Sequence, residues 1–142
     1  MTVTNNEIAR EFAERLLAIE AVSLSPDAPF TWASGLHSPI YCDNRLLIGN
    51  VPARQLVSDA FAALVGDAGV VAGTATAGIP WAAWVAEALD KPMVYVRDAP
   101  KDHGKGQRVE GKLGPGQRAV IIEDLITTGK GCLSGVEGAR ET

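Results

Sequence analysis

Residues 119 to 129 read Ala119-Val120-Ile121-Ile122-Glu123-Asp124-Leu125-Ile126-Thr127-Thr128-Gly129. Four apolar residues, three of them β-branched, form a short run with no polar face, as expected of a strand covered on both sides of a parallel sheet. That run meets two adjacent carboxylates, and a Thr-Thr-Gly turn then opens a helix. A helix N-terminus presents N–H groups and partial positive charge, so it is suited to an anion. Thr127 and Thr128 add hydroxyl donors. Glu123 and Asp124 repel a phosphate but accept hydrogen bonds from a diol. Side by side, these features suit a ribose 5-phosphate, with the phosphate in the turn and the 2′ and 3′ hydroxyls on the carboxylates. The same residues also describe a solvated acidic strand end with a threonine cap, and spacing alone leaves both readings open.

Two further apolar runs lie upstream, Val70-Val71-Ala72-Gly73 and Met93-Val94-Tyr95-Val96. Helical patterns lie between and after them. Trp81, Trp84, Val85 and Leu89 predict a helix over 80–89, and residues 129–141 have the length of a closing helix. Gly131, Gly135 and Gly138 fall inside that closing helix and each costs roughly 1 kcal/mol relative to alanine, so it is weak on propensity. Asn50 caps a preceding helix with Pro52 in its first turn, Leu56, Val57, Ala60, Phe61, Leu64 and Val65 as its buried face, and Gly66 at its end. At the start, Thr4-Asn5-Asn6-Glu7 is a capping box, and Ile8, Phe12, Leu16 and Ile19 predict an amphipathic helix over 5–20. Strands alternating with helices give an α/β fold with a parallel sheet covered on both faces. Between the first two helices, Val22 and Leu24 are extended and residues 25–29 turn. Residues 30–32 and 40–42 read as short strands flanking a tight Ser34-Gly35 turn.

The chain has 142 residues, a net charge of −4, 46% hydrophobic and 21% charged residues, which is enough to bury a core. An acidic balance excludes a generic nucleic-acid or anionic-membrane binder as the default reading. No apolar run reaches the roughly 20 residues that a membrane span needs. The first residues lack the basic and apolar regions of a signal peptide. Cys42 and Cys132 are the only cysteines, far apart and outside any CxxC pattern, which excludes a zinc module or disulfide scaffold and fits the cytoplasm.

Two other strand ends carry candidate chemistry, because ligands in open parallel sheets bind beyond the carboxyl ends of the strands. Gly73-Thr74-Ala75-Thr76-Ala77-Gly78-Ile79 is made of small residues that allow close backbone approach, and its N–H groups and hydroxyls can form an anion nest. The bland alternative is a tight strand-to-helix connection. After Val96, residues 98–117 have five glycines and no periodicity. Arg97, Lys101, His103, Lys105, Arg108 and Lys112 make this stretch locally cationic, either as a solvated charge run or as a lid over a polyanion.

Residues 120–129 resemble the signature for phosphoribosyl diphosphate (PRPP) in type I phosphoribosyltransferases. Phe30-Thr31-Trp32-Ala33-Ser34-Gly35-Leu36-His37-Ser38-Pro39-Ile40-Tyr41-Cys42-Asp43-Asn44-Arg45 is similar to the N-terminal hood of the orotate phosphoribosyltransferases, and Lys101-Asp102-His103-Gly104-Lys105-Gly106 resembles their catalytic loop. The resemblance runs from about residue 5 to about residue 130 and carries three motifs in the family's order. It implies a type I phosphoribosyltransferase core (49–142) preceded by a small helix-and-hood segment (1–48), with the last core strand missing at the C-terminus. A later arginine that meets the orotate carboxylate in relatives has no counterpart here.

The implied reaction is Mg²⁺-dependent transfer of the phosphoribosyl group of PRPP to orotate, with a catalytically impaired PRPP- or nucleotide-binding module of the same fold as the alternative. A purine-type phosphoribosyltransferase would share 120–129 but leave the hood unexplained. By resemblance, Lys101, Asp102, His103 and Lys105 are catalytic. Arg97, Thr74, Ala75, Thr76, Ala77 and Gly78 bind PRPP, as do Glu123, Asp124, Leu125, Ile126, Thr127, Thr128, Gly129 and Lys130. Ser34, Gly35 and Thr127 bind orotate, with Phe30, Trp32 and Tyr41 as walls of its pocket or as core or interface residues. The metal is held mainly by PRPP, with no dedicated protein ligand, and the partners are PRPP, orotate and a second subunit of a homodimer that shares the loop. Relatives carry Ser-rich or Gly-Ser residues after the Thr-Thr-Gly where this chain has Lys130-Gly131-Cys132. Some carry lysine where Ala33 stands, and lysine or serine in place of Asp98.

Overall fold

The computed structural model describes residues 5–32, 34–100 and 107–142. Thr4, Ala33 and the catalytic-loop residues Lys101, Asp102, His103 and Lys105 lie outside them. The chain divides into two compact units, residues 1–60 and 61–142.

The first unit begins with helix α1 (Asn5–Ala18). It stops short of the expected residue 20 because Glu20 turns to a left-handed φ of 56° and the Ala21 N–H reaches back to the Leu16 carbonyl at 2.9 Å. Strands β1 (Val22–Leu24), β2 (Phe30–Thr31), β3 (His37–Ser38) and β4 (Ile40–Cys42) follow. Their pairing differs from the expected hairpin. β2 pairs with β3, and β4 pairs instead with β1, Val22 opposite Cys42 and Leu24 opposite Ile40. Pro39 explains the split: it has no N–H to continue a ladder, so residues 37–42 break into two arms serving different partners. A 3-10 helix (Asn44–Gly49), capped by the Asp43 carboxylate, leads to helix α2 (Val51–Leu64). The Asn50 side chain caps α2 as expected, accepting from the Ala53 N–H at 3.0 Å.

The second unit is a four-stranded sheet of β5 (Val70–Thr74), β6 (Met93–Val96), β7 (Val109–Glu110) and β8 (Ala119–Ile122), in the order β7-β6-β5-β8. β6, β5 and β8 are parallel, and β5 is buried at every position. Helix α3 (Gly78–Ala88), two residues longer at its start than expected, packs on one face of β5. Helix α4 (Lys130–Arg140) packs against β5, β6 and β8. Val70, Ala72, Val94, Val96 and Val109 form the core beneath α4, with Ile121 and Ala139 against it.

Part of the 98–117 segment is ordered rather than structureless. Val109–Glu110 adds an antiparallel edge to β6, with Tyr95 opposite Glu110 and Val96 opposite Val109. A two-residue strand is too short to show an alternation, which is why periodicity misses it.

Glycines set the interlayer distance. A Cβ at Gly73 would lie 2.9 Å from the Ala82 Cβ, and one at Gly78 would lie 2.5 Å from the Ile122 carbonyl oxygen. These two glycines therefore serve helix-on-sheet packing, not only the ligand approach that the sequence suggests. The glycines of α4 act likewise: a Cβ at Gly135 would sit 3.1 Å from Thr74 Cγ2, and one at Gly138 would sit 2.6 Å from Val96 Cγ1. The propensity that α4 loses is offset by close burial on the sheet, where dispersion contacts accumulate.

Candidate functional site

From β5 the chain goes by way of α3 to β6 on one side, then returns past β5 to β8 on the other. The crevice beyond β5 and β8 is therefore the point where the strand order reverses, the usual ligand position in such sheets. A cavity of about 260 Å³ opens there. Its walls come from three strand ends: Ala75, Thr76 and Ala77 after β5, Asp98 after β6, and Glu123, Leu125, Ile126, Thr127 and Gly129 after β8. Gly131 and Cys132, in the first turn of α4, complete it.

The turn that starts α4 is shaped by Gly129, whose φ of 78° favours glycine. Gly129 offers no side-chain cap, and the helix's first i to i−4 bond is Leu133 N–H to the Gly129 carbonyl at 3.0 Å. The N–H groups of the preceding turn therefore have no intrahelical carbonyl, which is the arrangement that attracts an anion. The Thr128 hydroxyl makes a long contact of 3.5 Å with the Lys130 N–H.

Glu123 lines the cavity beside this positive helix end. Burial pushes its carboxyl above the ordinary carboxylate range. The neighbouring Asp124 adds to that shift. Burial, reinforced by Glu123, likewise pushes the Cys132 thiol upward. Asp124, in the bend that follows β8, is not among the lining residues.

Other sequence candidates fall elsewhere. Thr74 is buried, and its hydroxyl donates to the Ile122 carbonyl at 3.3 Å, tying β5 to β8. Gly78 is packed against β8, while Thr128 and Lys130 are absent from the cavity walls. Arg97 lies 3.7 Å from the Glu110 carboxylate and also does not line the cavity. Arg108, counted from sequence among the exposed loop cations, is buried and bonded to α4. Ser34 and Gly35 form a turn in the first unit, where Gly35 has φ 83° and its N–H meets the Trp32 carbonyl at 2.8 Å. There the Phe30 and Tyr41 rings pack at 5.6 Å and the Trp32 indole donates to the Ile40 carbonyl at 3.2 Å.

Asp98, Gly131 and Cys132 were not singled out for the site by sequence. Asp98 had a usable signal, its place just past the carboxyl end of β6. Cys132 had none, since which face of α4's first turn meets the cavity depends on how the helix packs.

Residues 52–137 match the phosphoribosyl transferase domain model. The chain belongs to the phosphoribosyltransferase family. Within it, the branch is that of the orotate phosphoribosyltransferases. The chain is 60% identical over 144 aligned residues to the orotate phosphoribosyltransferase of Cutibacterium acnes, with 99% of this chain and 67% of that one covered. Its fold is similar to a crystal structure of orotate phosphoribosyltransferase from Aeropyrum pernix, at 30% identity and a TM-score of 0.71, covering 92% of this chain and 73% of that one. It is also similar to the Mycobacterium tuberculosis orotate phosphoribosyltransferase in complex with PRPP, at 25% identity and a TM-score of 0.67, covering 94% and 75%. The chain spans about two thirds of the length of the curated relatives it matches, 67% and 66% for the first two.

Proposed function

We propose that this chain carries the PRPP-handling core of an orotate phosphoribosyltransferase, and that it takes part in the Mg²⁺-dependent formation of orotidine 5′-monophosphate and pyrophosphate in pyrimidine nucleotide synthesis. The observation that carries this reading is the cavity at the reversal of strand order, where Glu123 stands beside the uncapped start of α4. The 5-phosphate sits against the Thr127–Gly129 turn. Glu123, from the cavity wall, accepts hydrogen bonds from the ribose hydroxyls. Ala75, Thr76 and Ala77 take the diphosphate on backbone N–H groups. In the transfer, N1 of orotate forms a bond to C1′ while the C1′–oxygen bond breaks and its electron pair leaves with pyrophosphate. The protein's contribution is positioning and electrostatics. Lys101, His103 and Lys105 oppose the charge that grows on the leaving group, and Asp102 handles any proton. Ser34 and Gly35 meet orotate.

Among the described residues there is no group of three or more His, Cys, Asp or Glu side chains that could hold a metal. A Mg²⁺ ion that keeps its waters and takes substrate oxygens fits such a site, with Glu123 and Asp98 as the nearby carboxylates. When bound, it neutralises diphosphate charge. Exposed Leu24, Leu36, Ile40 and Tyr41 in the first unit are consistent with a homodimer. No helix among the described residues is long and apolar enough to cross a membrane.

The test is loss of orotate absorbance in the presence of PRPP and Mg²⁺, with calorimetric titration of PRPP alongside. Turnover supports the reading. A folded preparation that binds PRPP without turnover refutes the transferase activity and leaves a binding module. One that does not bind PRPP refutes the site.

A further inference from the structure

Arg108 is the only charged side chain among the buried described residues, 9% exposed. Its Nε donates to the Arg97 carbonyl at 3.0 Å, and the Arg97 N–H donates back to the Arg108 carbonyl at 2.9 Å. This reciprocal pair joins the two ends of the connector between β6 and β7. The rest of the guanidinium faces α4. Nη2 donates to the Ser134 carbonyl at 2.7 Å and to the Ser134 hydroxyl at 2.5 Å, and Nη1 lies 3.4 Å from the Glu141 carboxylate. Ser134, Gly138 and Glu141 are spaced four and three residues apart, so they share one face of the helix. Gly138 makes the seat possible: a Cβ there would lie 3.1 Å from both Cζ and Nε of Arg108. A guanidinium near a helix C-terminus also complements the helix dipole.

The other end of the same helix is pressed against the candidate site. A Cβ at Gly131 would meet Glu123 Oε2 at 3.0 Å, and one at Gly135 would meet Thr74 Cγ2 at 3.1 Å. α4 thus lies flat on the sheet from the cavity carboxylate to the Arg108 seat, and a shift along its axis moves the Thr127–Gly129 turn with it.

We infer that Arg108 is a positioning residue. By holding the Arg97 carbonyl and Ser134 at once, it fixes where α4, and therefore the anion-binding turn, sits relative to the ends of the β6–β7 connector. A forked, planar donor is needed for this, because a lysine ammonium cannot reproduce both bonds in one fixed geometry. The kinetic consequence rests on the proposed phosphoribosyl transfer. The structural consequence does not.

The experiment compares Arg108→Ala and Arg108→Lys with the parent by amide hydrogen exchange, PRPP calorimetry and steady-state kinetics. In folded Arg108→Ala, exchange across residues 130–140 should rise by about tenfold or more while residues 70–74 stay unchanged. The Kd and KM for PRPP should rise about tenfold, with the KM for orotate within about twofold of the parent. Arg108→Lys should show the same pattern at smaller amplitude, and it carries the test if the alanine variant does not fold. Unchanged α4 exchange in a folded variant overturns the inference. So does Arg108→Lys indistinguishable from the parent, or an equal rise in both KM values, which marks a general loss of structure. If the parent shows no turnover, the functional reading fails on its own, and exchange with PRPP calorimetry still decides the role of Arg108.

Discussion

Replacing Gly138 with alanine sets two opposed effects against each other within one helix. Propensity alone favours the change by up to about 1 kcal/mol. The new methyl carbon, however, would stand 2.6 Å from Val96 Cγ1 and 3.1 Å from Arg108 Cζ. Comfortable carbon–carbon contact begins near ~3.5 Å. Val96 is only 2% exposed and lies in the core beneath α4, so it has little room to yield. Overpacking of this kind costs about 1–3 kcal/mol. Displacing the guanidinium from Ser134 forfeits charge-assisted bonds worth about 1.5–3 kcal/mol. Together these outweigh the propensity gain and give a net destabilisation of about 1.5–5 kcal/mol. Gly131→Ala is the internal control. Its new carbon meets only the Glu123 carboxylate, Oε2 at 3.0 Å, the end of a side chain that can rotate. That variant should lie within about 1 kcal/mol of the parent. Urea unfolding followed by tryptophan fluorescence reads both, since Trp81 is buried with Trp84 packed 5.2 Å away in the same unit. A Gly138→Ala protein with the parent's midpoint and slope would refute the packing argument, because it would mean that α4 can lift off the sheet at no cost.

Glu123→Gln should change how stability depends on pH. Burial raises the Glu123 carboxyl above its ordinary range, so the folded chain holds that proton more tightly than the unfolded chain. The stability this gives is fully present below the unfolded pKa and is lost as pH rises through the folded one. Urea midpoints between about pH 4 and about pH 8 should therefore fall with rising pH in the parent relative to the glutamine variant, and parallel curves would contradict the assignment. Cys132, whose thiol is pushed upward by burial and by Glu123, should react with iodoacetamide at about pH 8 several-fold more slowly than free cysteine, and more slowly still with PRPP present. Mass spectrometry reads the modification, and a rate equal to that of free cysteine, unaffected by PRPP, contradicts the placement.

The local patterns legible from residues alone were those governed by neighbours along the chain. Val70–Gly73, Met93–Val96 and Ala119–Ile122 announce parallel strands because none of them has a polar face, although only β5 is buried throughout and β8, at the sheet edge, is mostly half-buried. Asn50 announces a helix start because capping involves atoms three residues apart. The acid pair followed by Thr-Thr-Gly announces an anion site because a helix start exposes N–H groups whatever surrounds it. The hood pairing was not legible, since two residues of β2 can select either β3 or β4 until Pro39 and the partner β1 are placed in space.

Residue order alone determined the alternation of strands and helices and marked the helix start whose N–H groups are left free, because both follow from short-range sterics and hydrogen bonding. Assembly in three dimensions decided the rest. It turned Arg108 from an apparent surface cation into a buried fork, and it made the α4 glycines packing requirements instead of flaws. It also set Glu123 against the cavity while Asp124 stands outside its walls. Each of these outcomes depends on which atoms from distant parts of the chain come within a few ångströms, and neither charge nor periodicity records that.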